Sequence, residues 1–238
     1  MQIQEIYHRH NGVDSYRRMT IYLKQQGYNY SAATIHKYMN TELGLRSIVR
    51  PKKPWTKSGK PHKVFENRLK QNFSADKPNQ KWCTDFTYLY LKNGDVRYNC
   101  TIIDLYDRSV VASVTDRHIT SDLAIRTLQK ALASQPQVKG ERILHSDQGS
   151  QYTSNAFVEF CESAHITQSM SKAGYPYDNA PMERYFNTLK NECTNLYRFW
   201  TEDDLYCTVD EFAYVTCNHV RPHSYNHYRT PFQVHSSA

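Results

Sequence analysis

Three acidic residues stand where their carboxylates could act together. Asp85 alternates with largely apolar neighbours along a predicted strand, Asp147 follows a short apolar strand, and Glu183 lies in the first turn of a predicted helix. Hard divalent cations take oxygen ligands, so carboxylates that converge from two strands and a helix suit magnesium or manganese. Two such ions about 4 Å apart can hold both the attacking and the leaving oxygen of a phosphodiester, which requires no protein nucleophile.

Two of these acids, Asp147 and Glu183, also have a purely structural interpretation. Asp147 is followed by Gln and Gly, and an Asp before Gly commonly shapes a turn. A Glu near the start of a helix completes caps and suits the helix dipole, which applies to Glu183. His145 could shuttle a proton, although a structural role is more common for such a histidine. Asp104 and Asp107 are interpreted as turn acids rather than metal ligands.

The helix that carries Glu183 has a second polar face. Its buried stripe is predicted at i, i+3, i+4 and i+7, and consists of Met182, Tyr185, Phe186 and Leu189. This stripe leaves Glu183, Asn187 and Lys190 together on another face. A carboxylate, an amide and an ammonium group then line up toward whatever occupies the site.

The pattern around these residues predicts an α/β fold. Alternation and turn residues predict strands over 82–91, 96–103, 109–115, 142–146 and 165–170. Helical spacing predicts helices that begin after Thr120 or Ser121, over 155–163, and from Pro181 to about Leu196. Three antiparallel strands followed by alternating helices and strands indicate a mixed sheet with helices on both faces.

The basic residues are concentrated near the beginning of the chain. Residues 1–80 hold fifteen Lys and Arg against five Asp and Glu, whereas 81–238 hold fifteen against eighteen. Segment 46–70 alone has nine basic residues, with Pro and Gly interrupting any helix. We predict an extended linker that follows a polyanion through Lys52, Lys53 and Lys57, because neutralised phosphates release counterions. The alternative is a solvated hinge.

A helix-turn-helix is predicted before this linker. Apolar residues recur at helical spacing over 14–26, Gly27 ends that segment, and Ser31 can cap a second helix over 32–40. The second helix of such a motif enters the major groove of DNA. Its outward candidates for DNA contact are Thr34, His36, Lys37 and Tyr38.

Composition excludes several classes of protein. No run of about eighteen apolar residues exists, and the start of the chain lacks the layout of a secretory signal. We therefore expect a cytoplasmic, nucleoid-associated protein without membrane contact. Six scattered cysteines without a Cys-x-x-Cys pair argue against a disulfide framework or a zinc ribbon, and favour buried reduced thiols.

The acidic residues lie within motifs that resemble a known family. Segments 78–88, 145–152 and 178–183 resemble the first-aspartate, second-aspartate and glutamate motifs of OrfB-type DDE transposases of bacterial insertion sequences, relatives of retroviral integrases. Between Asp147 and Glu183 lie 35 residues, the interval of that family, and Lys190 stands seven residues beyond Glu183. Segment 16–45 resembles the accompanying helix-turn-helix, and segments 221–223 and 230–231 resemble the closing segment.

The resemblance implies a ribonuclease H-like fold, with a mixed five-stranded sheet flanked by helices and preceded by a small helix-turn-helix domain. It implies that Asp85, Asp147 and Glu183 are catalytic and bind two Mg²⁺ or Mn²⁺ ions, and that Lys190 contacts the DNA end. Other expected DNA contacts are Asn187, Lys172, Arg184, Arg17 and Arg18. The expected division is 1–48 for the DNA-binding domain, 49–77 for the basic linker, and 78–238 for the catalytic core with a C-terminal helical segment.

The implied activity is metal-dependent cleavage at the ends of an element followed by strand transfer. Expected partners are the terminal inverted repeats, target DNA, further copies of the chain on DNA, and an upstream-frame product of the same element. Two alternatives are a nuclease that only hydrolyses and an inactive or truncated product that regulates by binding DNA. Departures from the family pattern at Ser15, Ala112-Ser113 and Arg184 affect DNA contacts rather than ligands. The short N-terminus fits a partial product.

Overall fold

The computed structural model describes residues 2–49, 63–135 and 140–237. They form two compact units, one made of 2–49 with 188–197 and the other made of 63–135, 140–187 and 198–237. Segment 188–197 thus belongs to the same unit as the beginning of the chain, although it follows the whole sheet in sequence.

The N-terminal part of the first unit is helical. It contains α1 (Gln2–Arg9), α2 (Tyr16–Gln25) and α3 (Ala32–His36), and α3 continues as a wider π-type helix over Lys37–Glu42. The Ser31 Oγ accepts the N–H of Thr34 at 3.1 Å and caps α3 as predicted. The small core consists of Ile6, Met19, Leu23, Ile35 and Met39. The predicted helix-turn-helix is confirmed as α2 and α3, whereas α1 was not anticipated.

The second unit is built on a mixed five-stranded sheet, as predicted. Its strands are β1 (Lys81–Tyr90), β2 (Val96–Asp104), β3 (Val110–Asp116), β4 (Arg142–Ser146) and β5 (Ile166–Met170), in the order β3-β2-β1-β4-β5. The first three strands pair antiparallel, and β4 pairs parallel with both β1 and β5. The central strand β1 therefore has the antiparallel part of the sheet on one side and the parallel part on the other.

Helices cover this sheet and bury its apolar residues. Thr120 caps α4 (Ser121–Ser134) by accepting the N–H of Leu123 at 3.2 Å. The short α5 (Ser150–Thr153) leads into α6 (Asn155–Ser163). Residues of all three helices pack against all five strands in one core, which includes Trp82, Leu128, Leu144, Tyr152 and Phe157.

Further helices follow the sheet in sequence, and one of them covers the edge strand β3. They are α7 (Ala180–Glu192), α8 (Glu202–Asp210), a π-type helix over Glu211–Val220, and α9 (Pro231–His235). Asn218 exchanges two hydrogen bonds with the backbone of Val110, and Tyr214 does the same with Ser113. These side chains satisfy the outer backbone groups of β3, which an edge strand otherwise leaves open to pairing with another chain.

Most predicted boundaries agree with the structure to within a residue or two. Strand β4 and helix α6 have the predicted bounds, but α7 ends at Glu192 rather than near Leu196, and a separate 3-10 turn covers Thr194–Leu196. All six cysteines are free thiols, five of them buried and Cys207 exposed. Among the described residues, no helix is long and apolar enough to cross a membrane.

Candidate active site

The register of the central strands brings two predicted site residues to one level of the sheet. Cys83 of β1 pairs with His145 of β4 in a parallel ladder. Asp85 and Asp147 each stand two residues beyond this pair in the sequence. Neighbouring strands lie about 4.8 Å apart. Because side chains alternate between the two faces of a sheet, both aspartates are expected on the same face as Cys83 and His145. Asp85 within β1 and Asp147 just after β4 are therefore expected at the same level of the sheet.

Asp147 stands immediately after the end of β4 in a tight turn. Its Oδ1 accepts the backbone N–H of Gly149 at 2.9 Å. Burial raises the pKa of Asp147 above its usual range, and the Gly149 hydrogen bond opposes that shift. The turn-forming interpretation and the catalytic one are thus compatible, because the hydrogen bond that shapes the turn involves Oδ1, one of the two carboxylate oxygens.

Asp85 is half-buried in the middle of the sheet. Its Oδ1 accepts the N–H of Phe86 at 2.7 Å, and its Oδ2 lies 3.4 Å from Nδ2 of Asn179. Beneath it, the hydroxyl group of Tyr152 lies 3.1 Å from that of Thr84. Burial raises the pKa of Tyr152, and the charges of Asp85 and Asp147 raise it further, so this buried phenol is close enough to feel both carboxylates.

Glu183 reaches the same region through the start of its helix. A 3-10 turn, Pro176–Asn179, leads directly into α7, whose first turn contains Glu183. Asn179 contacts β1, because its Nδ2 lies 3.3 Å from the carbonyl oxygen of Thr84. Glu183 follows Asn179 by four residues, which is about one helical turn on the same side. The helix therefore begins against the strand that carries Asp85.

The three acids are not yet arranged as a complete metal site. Among the residues that the structure describes, no group of three or more His, Cys, Asp and Glu side chains is close enough to hold a metal ion. Convergence of all three carboxylates therefore stays a prediction. Asp85 and Asp147 nevertheless suit a divalent cation, because both are half-buried carboxylates and a positive charge nearby favours their ionised form.

The other acids and His145 have structural roles in this unit. Asp104 accepts the N–H groups of Tyr106 and Asn79, and Asp107 accepts that of Ser109, which confirms both as turn acids. His145 is fully buried, and burial lowers its pKa to about 4. A structural role for His145 is thereby confirmed.

The candidate DNA contacts of the catalytic region differ in exposure. Arg184 and Lys172 are exposed, and the ammonium group of Lys172 lies 4.8 Å from the centre of the Tyr175 ring. Asn187 and Lys190 are half-buried and lie on α7. A role for any of them in binding DNA stays a prediction.

The candidates near the helix-turn-helix also divide into two groups. Arg17, His36 and Lys37 are exposed, and Tyr38 is exposed as well. Thr34 is half-buried with its hydroxyl group 2.8 Å from that of Ser31, and Arg18 forms ion pairs with Asp14 and Glu192. The linker candidates Lys52, Lys53 and Lys57 lie outside the described residues.

One group of site residues was missed at the level of the sequence. Asp178 and Asn179 were interpreted only as the residues that open a helix, yet both are nearly fully buried and hydrogen-bonded to the strands that carry the aspartates. The only available signal was an Asp-Asn pair in front of the helix, which alone is typical of many helix starts.

Family models match nearly the whole chain. An Integrase core domain model matches residues 75–176, and a second Integrase core domain model matches 164–231. An HTH-like domain model matches residues 1–53. The matched segments contain all three of the predicted catalytic acids.

Two bacterial relatives are similar over most of their length. The putative transposase InsK for insertion sequence element IS150 of Escherichia coli (strain K12) is 32% identical over 211 residues, which are 89% of this chain and 74% of the relative. The transposase InsF for insertion sequence IS3A of the same strain is 35% identical over 205 residues, which are 86% and 69% of the two chains.

Solved structures of viral integrases share the fold. The simian T-cell lymphotropic virus intasome in complex with PP2A regulatory subunit B56 gamma contains a chain with a TM-score of 0.57 and 17% identity, covering 99% of this chain and 75% of its own. The HTLV-2 integrase catalytic core domain in complex with magnesium, in its trimeric form, has a TM-score of 0.52 and 22% identity, covering 67% and 98%. The ribonuclease H-like sheet is therefore the integrase fold.

Proposed function

Because this chain belongs to the insertion-sequence transposases with an integrase core domain, we propose that Asp85, Asp147 and Glu183 are the catalytic residues of DNA cleavage and strand transfer. Enzymes of this family are polynucleotidyl transferases: in cleavage, water attacks a phosphodiester bond and frees a 3′ hydroxyl group, and in strand transfer that hydroxyl group attacks a second phosphodiester bond, so one such bond forms as another breaks. The DNA-binding regulator with an inactive core is not favoured, since all three acids of the family motifs are present.

The three carboxylates hold two Mg²⁺ or Mn²⁺ ions in this proposal. The ions would activate the attacking oxygen and stabilise the leaving oxygen at the phosphorus atom. Asp85 of β1 and Asp147 just after β4 would supply oxygen ligands, and Glu183 would supply a ligand from α7. Catalysis by the chain is then positioning and charge stabilisation, because the rigid sheet fixes where the reacting phosphate lies. No covalent intermediate with the protein forms.

One observation carries this proposal. β1 and β4 pair in parallel up to Cys83–His145, and Asp85 and Asp147 each stand two residues beyond that pair. Asp147 is half-buried and burial raises its pKa above the usual range, so a cation nearby would favour its ionised form. Two neighbouring carboxylates destabilise the folded protein when no metal ion is bound, and they are favoured in an enzyme that binds metal.

The remaining parts of the chain bind DNA in the same proposal. Residues 1–48 recognise the terminal inverted repeats through Arg17, His36 and Lys37, and residues 49–77 follow the phosphate backbone. Within 78–238, Lys190, Asn187, Arg184 and Lys172 contact the DNA end or the target DNA. Several copies of the chain assemble on DNA, together with an upstream-frame product of the same element.

The decisive experiment compares Asp147→Asn with a matched control, Asp122→Asn. Asp122 is an exposed aspartate on α4 that pairs with Arg126 four residues later. Joining of labelled terminal oligonucleotides in Mn²⁺ is abolished in D147N and kept in D122N, while both bind DNA like the wild type. The amide of D147N preserves the shape of the side chain but removes the charge that a metal ion needs.

Three results would contradict the proposal in different ways. Joining by D147N at the wild-type rate removes the residue from catalysis. Cleavage without joining by the wild-type protein indicates a nuclease that only hydrolyses. Binding with a steep salt dependence but without any metal-dependent reaction indicates a DNA-binding regulator.

A further inference from the structure

The turn in front of α7 is hydrogen-bonded to the first aspartate strand. Asn179 is 5% exposed, and its Nδ2 lies 3.3 Å from the carbonyl oxygen of Thr84 and 3.4 Å from Oδ2 of Asp85. Both neighbours are acceptors, so the amide nitrogen rather than the amide oxygen must face them. The amide of Asn179 therefore points toward one of the proposed metal ligands.

Asn179 does not cap the helix that follows it. A capping Asn accepts an N–H group of the first helical turn through its side-chain oxygen. Within the described part of the chain, the Oδ1 of Asn179 is buried and has no hydrogen-bond partner. Helix capping therefore does not explain this asparagine, and its side chain instead donates toward the Thr84 carbonyl oxygen and the Asp85 carboxylate on β1.

The turn itself is fixed by His145, which lies two residues before Asp147. The Nε2 of His145 lies 2.8 Å from the carbonyl oxygen of Asp178, and the Nδ1 lies 2.8 Å from Oγ of Ser169. A carbonyl oxygen only accepts, so Nε2 carries the proton and Nδ1 accepts the hydroxyl proton of Ser169. The strand that leads to the second aspartate thus holds the turn that touches the first.

The carboxylate of Asp178 fixes the turn from the other side. It accepts the N–H of Lys172 at 3.0 Å and the side-chain amides of Gln71 and Asn67 at 2.9 and 3.0 Å. These three donors come from two separate segments of the chain. A turn anchored in this way keeps the beginning of α7, and with it Glu183, at a set distance from β1.

We propose that Asn179 is a positioning residue that orients the carboxylate of Asp85 for metal binding, while His145 and Asp178 hold Asn179 in place. This inference rests on the proposed function, since it concerns the same metal site. Carboxylates that bind metal ions are themselves hydrogen-bonded, and loss of such a partner weakens metal binding by about 10- to 100-fold.

The test measures Mn²⁺ binding directly in the full-length chain, by electron paramagnetic resonance of the free ion. Asn179→Ala is compared with Asn218→Ala, which also removes an asparagine bonded to a strand backbone, but at β3. N179A is expected to bind Mn²⁺ about tenfold more weakly than the wild type. N218A is expected to keep the wild-type affinity. Thermal unfolding of both variants records any loss of stability.

A second variant keeps the test valid if N179A does not fold. Asn179→Ser fills part of the space, but its hydroxyl group is one bond closer to the backbone and does not reach Asp85, so the same loss of affinity is expected. Wild-type affinity in the folded variants overturns the inference, as does an equal loss in N218A. If the wild-type protein binds no Mn²⁺ that depends on Asp85 and Asp147, the proposed function itself fails.

Discussion

The backbone N–H of Gly149 donates to Oδ1 of Asp147 at 2.9 Å, and a Cβ atom at Gly149 would lie only 2.9 Å from that same oxygen. The backbone of Gly149 has a negative φ of −58°, so its conformation is open to any residue. The requirement for glycine here is therefore one of space beside the carboxylate. No other residue could approach Asp147 so closely without moving it.

Gly149→Ala is expected to reduce strand joining by about 10- to 100-fold, because the methyl group displaces the carboxylate that binds metal. The cost in stability should stay at about 1–3 kcal/mol, as for other overpacked sites. Steady-state joining assays and urea unfolding measure the two effects separately. Ser150→Ala, at the exposed neighbouring position, is the control, and an active G149A would show that Asp147 tolerates the shift.

Two neighbouring arginines on α2 have different surroundings. Arg17 is exposed, whereas Arg18 pairs with Asp14 at 3.0 Å and with both oxygens of Glu192 at 2.6 and 2.8 Å. Asp14 is 1% exposed. Removal of Arg18 would leave two carboxylates with little solvent and no guanidinium group beside them.

Arg18→Ala is expected to lower the free energy of unfolding by about 3 kcal/mol, because Asp14 and Glu192 both lose the guanidinium group of a buried ion pair, and His10 remains beside Asp14. Arg17→Ala should leave stability unchanged but weaken DNA binding and reduce the salt slope of the binding constant by about 1. Denaturant unfolding and DNA titration at several salt concentrations, carried out on both variants, test whether Arg18 stabilises the fold and Arg17 binds DNA. An R18A protein of normal stability, or an R17A protein with an unchanged salt slope, contradicts these roles.

Glu202, the first residue of α8, is expected to make the stability of the protein depend on pH. Glu202 accepts hydrogen bonds from Arg117 and Arg97, which lower its pKa from 4.5 to about 2. Its folded-state pKa is depressed, so its contribution is complete above the unfolded value and is lost as the pH falls from there to the folded value. Glu202→Gln lacks this charge at every pH.

The difference in melting temperature between wild type and E202Q is therefore expected to be largest at about pH 6 and to shrink between about pH 5 and pH 2. Calorimetry over this range measures it. Added salt should reduce the difference, since the ion pairs are close to solvent. A difference that stays constant with pH would show that the charge of Glu202 does not cause it.

The elements with strong local patterns could be predicted from the sequence. Strand β4 is a short apolar run before Asp147, and α6 has a serine cap and a regular apolar stripe, so both were predicted with the observed bounds. Helix α1 has only eight residues, and Ile6 is its one buried residue. So short a segment shows too little apolar periodicity to be recognised as a helix. The end of α7 at Glu192 also escaped prediction, because the apolar stripe continues to Leu196.

The candidate site was predicted in part for a similar reason. The three acids occur in motifs whose order and spacing are visible along the chain. The adjacency of Asp85 and Asp147 depends on strand register, and the contact of Asn179 with Asp85 joins residues 94 positions apart. Such contacts are set by packing across the sheet, and no local pattern records them. The ion pairs of Arg18 also depend on packing between distant segments, so the sequence alone did not indicate that Arg18 is less exposed than Arg17.

A crystal of the full-length chain grown in saturating MnCl₂ tests the metal site most directly. Anomalous diffraction at the manganese edge is predicted to show two ions about 4 Å apart, with ligand oxygens from Asp85, Asp147 and Glu183. A crystal of Asp147→Asn in the same solution should lose this density. Clear maps with no manganese beside Asp85 and Asp147, or with Glu183 turned away from the ions, would contradict the account.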